Sequence, residues 1–162
     1  MTTTSTSSGL PDDGDASSSS STSASPAEVI GAAFDAIMNR RIDCGRRPRT
    51  CDVDSLAVVG SSLHDRLTAL MSERRTAGIT ATRRGAVRHR IEEVEISNDG
   101  RARVTTCLTD DTVLMSAGAI FDESLFSAVT VWTMERVDDR WLWADDDVVR
   151  WSRKEDLCGF AS

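Results

Sequence analysis

The stretch VRHRIEEVEISNDGRARVTTCL, residues 87–108, decides the fold. Val87, His89 and Ile91 alternate with polar neighbours, the phase slips at Glu92-Glu93, and the pattern resumes with Val94 and Ile96. A period of two predicts a strand, and a one-residue slip inside it predicts a β-bulge, which bends a sheet. Asn98-Asp99-Gly100 is a hairpin signal, so Arg103-Val104-Thr105-Thr106-Cys107-Leu108 should return antiparallel to the first strand.

Upstream of this hairpin the period is 3.6. Ser25-Pro26-Ala27-Glu28 reads as a capping box with Pro in the first helical position. Val29, Ile30, Ala33, Phe34, Ile37 and Met38 then draw one apolar stripe, predicting a helix that ends near Arg41. Residues 54–59 read as a short helical turn stopped by Gly60. A second long helix is expected from about Ser62 to Ala77, with Leu63, Leu67, Leu70 and Met71 on one face and Gly78 as its C-cap. Downstream, residues 79–83 suggest a short edge strand. Residues 125–137 are apolar on both faces and predict a central strand, and a last strand begins at Trp141 and reaches toward Trp151. Helices followed by a run of antiparallel strands make an α+β pattern.

The whole chain has 162 residues, 40% of them apolar and 28% charged, with 26 acidic against 19 basic groups and a net charge of −7. Residues 1–25 are dominated by Ser and Thr, hold three Asp and no basic residue, and lack the apolar surface to offset backbone ordering. They are expected to be a disordered tether, with one folded domain over 26–162. The acidic balance argues against a nucleic-acid groove, and no apolar run is long enough for a membrane helix.

Four cysteines allow three disulfide connectivities. Zinc is disfavoured, because six residues separate Cys44 from Cys51 and the other two cysteines lie far away. Gly45 and Pro48 predict a loop that can fold back, so Cys44–Cys51 is a reasonable local staple, which leaves Cys107 for Cys158. The alternative is four reduced thiols in a cytosolic protein. Disulfides imply an oxidising compartment. Met1, however, opens onto Thr2-Thr3-Thr4-Ser5 with neither a basic nor an apolar signal region. An extracytoplasmic location would then need a start upstream of Met1, and the cytoplasm is the other reading.

The order of elements, with the hairpin Glu93–Val104, Cys107-Leu108-Thr109-Asp110-Asp111, Met134–Trp141 and the late Cys158, resembles the nuclear transport factor 2-like superfamily. The uncharacterised exported and lipoprotein-type members found in actinobacteria are the nearest in type. Asp139 stands where such proteins often carry Gly in a closing Asp-Gly-Arg-Trp. The resemblance implies a cone, with N-terminal helices lying in the concavity of a strongly bent antiparallel sheet, and an envelope location. It does not imply a reaction.

Enzymes of that superfamily place a carboxylate or a His/Asp pair inside the cone. His89, with Asp145 or Asp147 and a counter-charge from Arg150 or Arg153, would be the acid-base set, acting as an isomerase, dehydratase or cyclase on an apolar substrate. The bland reading leaves His89 on a strand flank, His64 on a helix surface, Asp110-Asp111 in a turn and Asp145-Asp146-Asp147 at an acidic sheet end. Trp132, Trp141, Trp143 and Met134 could line a pocket for a small apolar ligand, with core packing as the default. Arg46-Arg47-Pro48-Arg49 could meet an anionic surface. No motif for a metal or cofactor is found. The expected role is a non-catalytic binding or interaction module, for a small apolar ligand or an envelope protein, and Phe126, Ala128 and Trp132 on the sheet face could pair it as a homodimer.

Overall fold

The computed structural model describes Met1 and residues 23–160; the tether expected over residues 1–25 lies almost wholly outside the described residues. Helix α1 spans Pro26–Arg46 behind the expected capping box: Ser25 Oγ accepts from Glu28 N at 3.3 Å, and Glu28 Oε2 accepts from Ser25 N at 2.6 Å. The helix runs past Arg41 because nothing there breaks it. Pro48 does, by disfavouring helical backbone at the residue before it, and Arg47 leaves the helix at φ −135°. A 3-10 turn, Pro48–Thr50, reverses the chain and brings Cys51 back to Cys44, with their Cα atoms 4.7 Å apart.

Helix α2, Ser62–Ala77, starts on Ser61 and stops at Gly78, whose φ of 63° is left-handed. Between the helices, the turn expected over 54–59 is shorter, a 3-10 turn at Val53–Ser55. Leu56–Val58 then lies along the last strand, with Trp143 N donating to Leu56 O at 3.1 Å and Val58 N donating to Trp143 O at 2.8 Å. This segment covers a sheet edge that would otherwise stand open.

The remaining elements are β1 (Thr80–Ala81), β2 (Val87–Ile96), β3 (Arg101–Asp110), β4 (Leu114–Ser116), β5 (Ala119–Asp122), β6 (Phe126–Val137) and β7 (Arg140–Ser152). They form an antiparallel four-stranded sheet in the order β2-β3-β6-β7 and a three-stranded sheet in the order β1-β4-β5. The fold is α+β, two helices packed against two antiparallel sheets. The slip at Glu92-Glu93 is a bulge, with the register shifting between Ile91 and Glu93. Two further bulges put Ala144 and Val149 of β7 out of register with β6. The β4–β5 hairpin was not foreseen, because Ala117 takes the left-handed position (φ 50°) where a turn signal would show Asn or Gly.

The inner sheet face carries the core. Ile30, Phe34, Ile37 and Met38 of α1 and Leu63, Leu67 and Met71 of α2 bury against Val104, Trp132, Met134 and Trp143. On the outer face the chain after β7 folds back, and Cys158 joins Cys107 with Cα atoms 5.6 Å apart. Thr109 Oγ1 donates to Asp156 Oδ1 at 2.8 Å, and Ser127 donates to the Glu155 carbonyl while accepting from Leu157 N.

One turn gives a direct test of this packing. Asp111 Oδ1 accepts from Ala86 N at 2.6 Å, and this bond, followed by the contact with Arg88, holds its carboxyl below the ordinary 3.8. A depressed folded pKa means its contribution is complete above that ordinary value and is lost as pH falls through the folded one. Gly85 sits at φ 72°, and a Cβ there would lie 2.0 Å from the Asp111 carbonyl oxygen. Gly85→Ala should therefore cost about 2 kcal/mol in urea denaturation. An unchanged midpoint would show that the turn can open without loss.

Candidate functional site

The structure gives His89 a carboxylate other than the expected one. Its Nε2 lies 2.7 Å from Asp35 Oδ1 on α1, and its ring meets Phe34 edge-on at 5.7 Å. β2 and β7 are opposite edges of the four-stranded sheet, so His89 is separated from Asp145 and Asp147 by roughly 14 Å of strand spacing. Asp145 instead accepts from Ser62 Oγ at 2.9 Å and from Arg66 Nη2 at 3.1 Å, and Asp147 is exposed. The Ala144 bulge explains the change of parity. Trp143 faces Met134 on the inner side, one residue is skipped, and it is Asp146 that stands opposite Trp132 and pairs with Arg66. Neither Arg150 nor Arg153 supplies the counter-charge. His64 is also more enclosed than a surface helix residue, with Nε2 2.9 Å from Asp54 Oδ1.

Trp132, Trp143 and Met134 are core. Their rings and thioether are covered by α1: Phe34 lies 5.6 Å from Trp132 and 5.5 Å from Trp143, and the two indoles stack at 4.5 Å. Trp132 Nε1 donates to Thr106 Oγ1 at 2.9 Å. Trp141 is half-buried at the edge of this group. The space against Trp132 and Trp143 is thus occupied by the Phe34 ring. Ala128 and Trp132 are buried on the inner face and offer a second copy nothing, while Phe126 stacks on the exposed Trp151.

What stays open is one end of the helix–sheet sandwich. A cavity of about 100 Å³ is lined by Arg41, Gly45, Arg74, Val87, Asp110 and Leu114. Arg74, Asp110 and Leu114 also line a neighbouring cleft of about 170 Å³ that opens past Phe126 and Arg153. On its other side, Arg41 shares a cleft of about 180 Å³ with Leu67, Leu70, Trp132 and Asp146. A larger cleft of about 350 Å³ lies between the disulfide loop and the end of α2, with Arg46, Arg47, Arg49 and Arg75 around Pro48 and Ile79.

Arg41 and Arg74 are the functional candidates that sequence reasoning missed, although a signal was present. On α1 the stripe Ile30-Phe34-Ile37-Met38 continues to Arg41, and on α2 the stripe Leu63-Leu67-Leu70-Met71 continues to Arg74. Each helix places an arginine where its next apolar residue would stand. Burial lowers the Arg41 pKa, opposed by Asp110 and Asp146. Burial also lowers that of Arg74, and the charge on Arg41 lowers it further, against Asp110 and Glu73. Both remain cationic at neutral pH, as arginines do. Among the described residues neither side chain makes a hydrogen bond or an ion pair. Asp110 does not pair with them; its Oδ1 accepts from Thr112 N at 2.9 Å. No group of three or more metal-ligating side chains occurs among the described residues.

The chain is similar in fold to the intermembrane-space region of the chloroplast protein ARC6. The two share 14% identity with a TM-score of 0.61, over 78% of this chain and 98% of the ARC6 region. At that identity the likeness to ARC6 is one of fold alone. No protein-family model and no curated protein sequence matches the chain.

Proposed function

We propose that this chain is a non-catalytic binding module of the cell envelope or exterior, built on a nuclear transport factor 2-like scaffold. The observation that carries the reading is the filled interior. Among the described residues, Phe34, Trp132, Met134 and Trp143 pack against one another and fill the centre of the inner face, where an enclosed apolar substrate would have to sit. His89 is engaged by Asp35, and it lines none of the clefts described above. Accessible space is instead concentrated at the arginine-lined end, which suits recognition more than proton transfer.

Both disulfides support an oxidising compartment, since a reducing one would hold four thiols apart. The ARC6 region with this fold is named for the intermembrane space, also outside the cytosol. Among the described residues no helix is long and apolar enough to cross a membrane. The test is alkylation of the protein taken from its native cells and unfolded without reductant. No cysteine should be modified; modification of all four would overturn the envelope reading.

A further inference from the structure

We propose that the cavity between Arg41 and Arg74 is a binding site for an oxyanion, a carboxylate or phosphate group, free or carried on a larger molecule. The proposal rests on the reading of the domain as a binding module and specifies what the module would recognise.

Arg41 and Arg74 are half-buried cations lining one cavity; like charges there repel each other, and partial desolvation adds to the cost. A fold that needed only a stopper at this end would do better with the leucine or methionine that the stripes of α1 and α2 call for. Elsewhere in the molecule arginines close to carboxylates are paired: Arg66 with Asp145 and Asp146, Arg88 with Asp111, Arg101 with Glu135. Arg41 and Arg74 keep their donors free of protein partners although Asp110 lines the same cavity and acts on both charges. Arg46 also lines the cavity, so with Asp110 counted the wall carries two net positive charges. Each guanidinium presents a planar fork of N–H donors matched to two oxygens of one anion.

Size agrees with charge. About 100 Å³ is well below the 300 Å³ or more that a drug-sized molecule occupies, and is suited to a single oxyanion group. The cleft beyond it, past Leu114 and Phe126, leaves room for whatever bears that group. Gly45 helps to shape the wall: a Cβ there would come within 3.3 Å of Arg74 Nη1, so the absence of a side chain lets the guanidinium lie against α1.

The experiment uses the full chain with its disulfides intact, in low-chloride buffer, titrated separately with inorganic phosphate, acetate and glycerol 3-phosphate. Binding is followed by calorimetry and by the arginine Nε–H resonances in NMR spectra. The expected result is saturable binding that moves the Arg41 and Arg74 resonances, with affinity reduced about 30-fold by Arg74→Gln or Arg41→Gln. Arg40→Gln, an exposed neighbour, should bind as the wild type does. Tighter binding of glycerol 3-phosphate than of inorganic phosphate would mean that the outer cleft holds a carrier; equal affinities would mean that the free anion is the ligand. Should Arg41→Gln fail to fold, Arg74→Lys, which keeps the charge and loses the fork, must still weaken binding. No saturable binding of any of the three anions, or binding insensitive to both arginines, would overturn the proposal. A protein that bound no anion yet carried no free thiols would lose this site and keep its envelope reading. One that bound anions with four free thiols would do the reverse.

Discussion

Cys158→Ser, and equally Cys107→Ser, should destabilise the domain by about 4 kcal/mol, because their bridge closes a loop of 51 residues in the unfolded chain. For a domain of this size the loss corresponds to a fall in Tm of roughly 10–20 °C. The bridge is also the covalent hold on residues 153–160 over the outer sheet face, where Thr109 and Ser127 are otherwise their hydrogen-bonded anchors. Hydrogen exchange should therefore show Leu157 and Cys158 amides losing protection well before those of β3 and β6. Cys44→Ser removes a bridge that closes only a separation of 7 and should cost about 2 kcal/mol. Equal effects of the two bridges would show that native strain, not loop closure, sets their worth.

Trp143→Ala should cost about 3–5 kcal/mol in urea denaturation. The indole is fully buried, touches Phe34 and Trp132, and sits on the residue whose backbone ties Leu56–Val58 to β7. Trp143→Phe should behave quite differently and stay within about 1 kcal/mol of wild type. The reason is that Trp143 Nε1 is buried with no hydrogen-bond partner among the described residues, so its removal relieves a desolvation cost while leaving only a small void. A phenylalanine variant as unstable as the alanine one would mean that the indole N–H has a partner, such as a bound water.

The hairpin over 87–110 and the helix caps were legible because their signals are local: a phase slip, an Asn-Asp-Gly turn, a Ser-Pro-x-Glu box. The Ala144 bulge was not, since Trp141-Leu142-Trp143-Ala144 is apolar throughout and a run with no alternation has no phase to lose. That single hidden residue is why Asp146 faces inward in place of Asp145 and Asp147. The alternation of Val87, His89 and Ile91 places His89 on a strand face with apolar neighbours, and in the structure its ring meets Phe34 of α1. Its partner Asp35 could not be read, because helix–sheet docking brings together residues 54 positions apart. Arg41 was passed over because the stripe was followed through apolar residues alone and the helix was expected to end near Arg41, whereas it runs to Arg46.

The two bridges also differ in when each can form during vectorial synthesis. Cys44 meets Cys51 after 7 more residues, as soon as α1 and its return loop have emerged, while Cys107 must wait for Cys158 on the far side of β7. Early closure of the first pair removes both wrong partners, and the three pairings open to four cysteines collapse to one before the sheet is complete. A chain oxidised in the order of its emergence would need no isomerase to correct it.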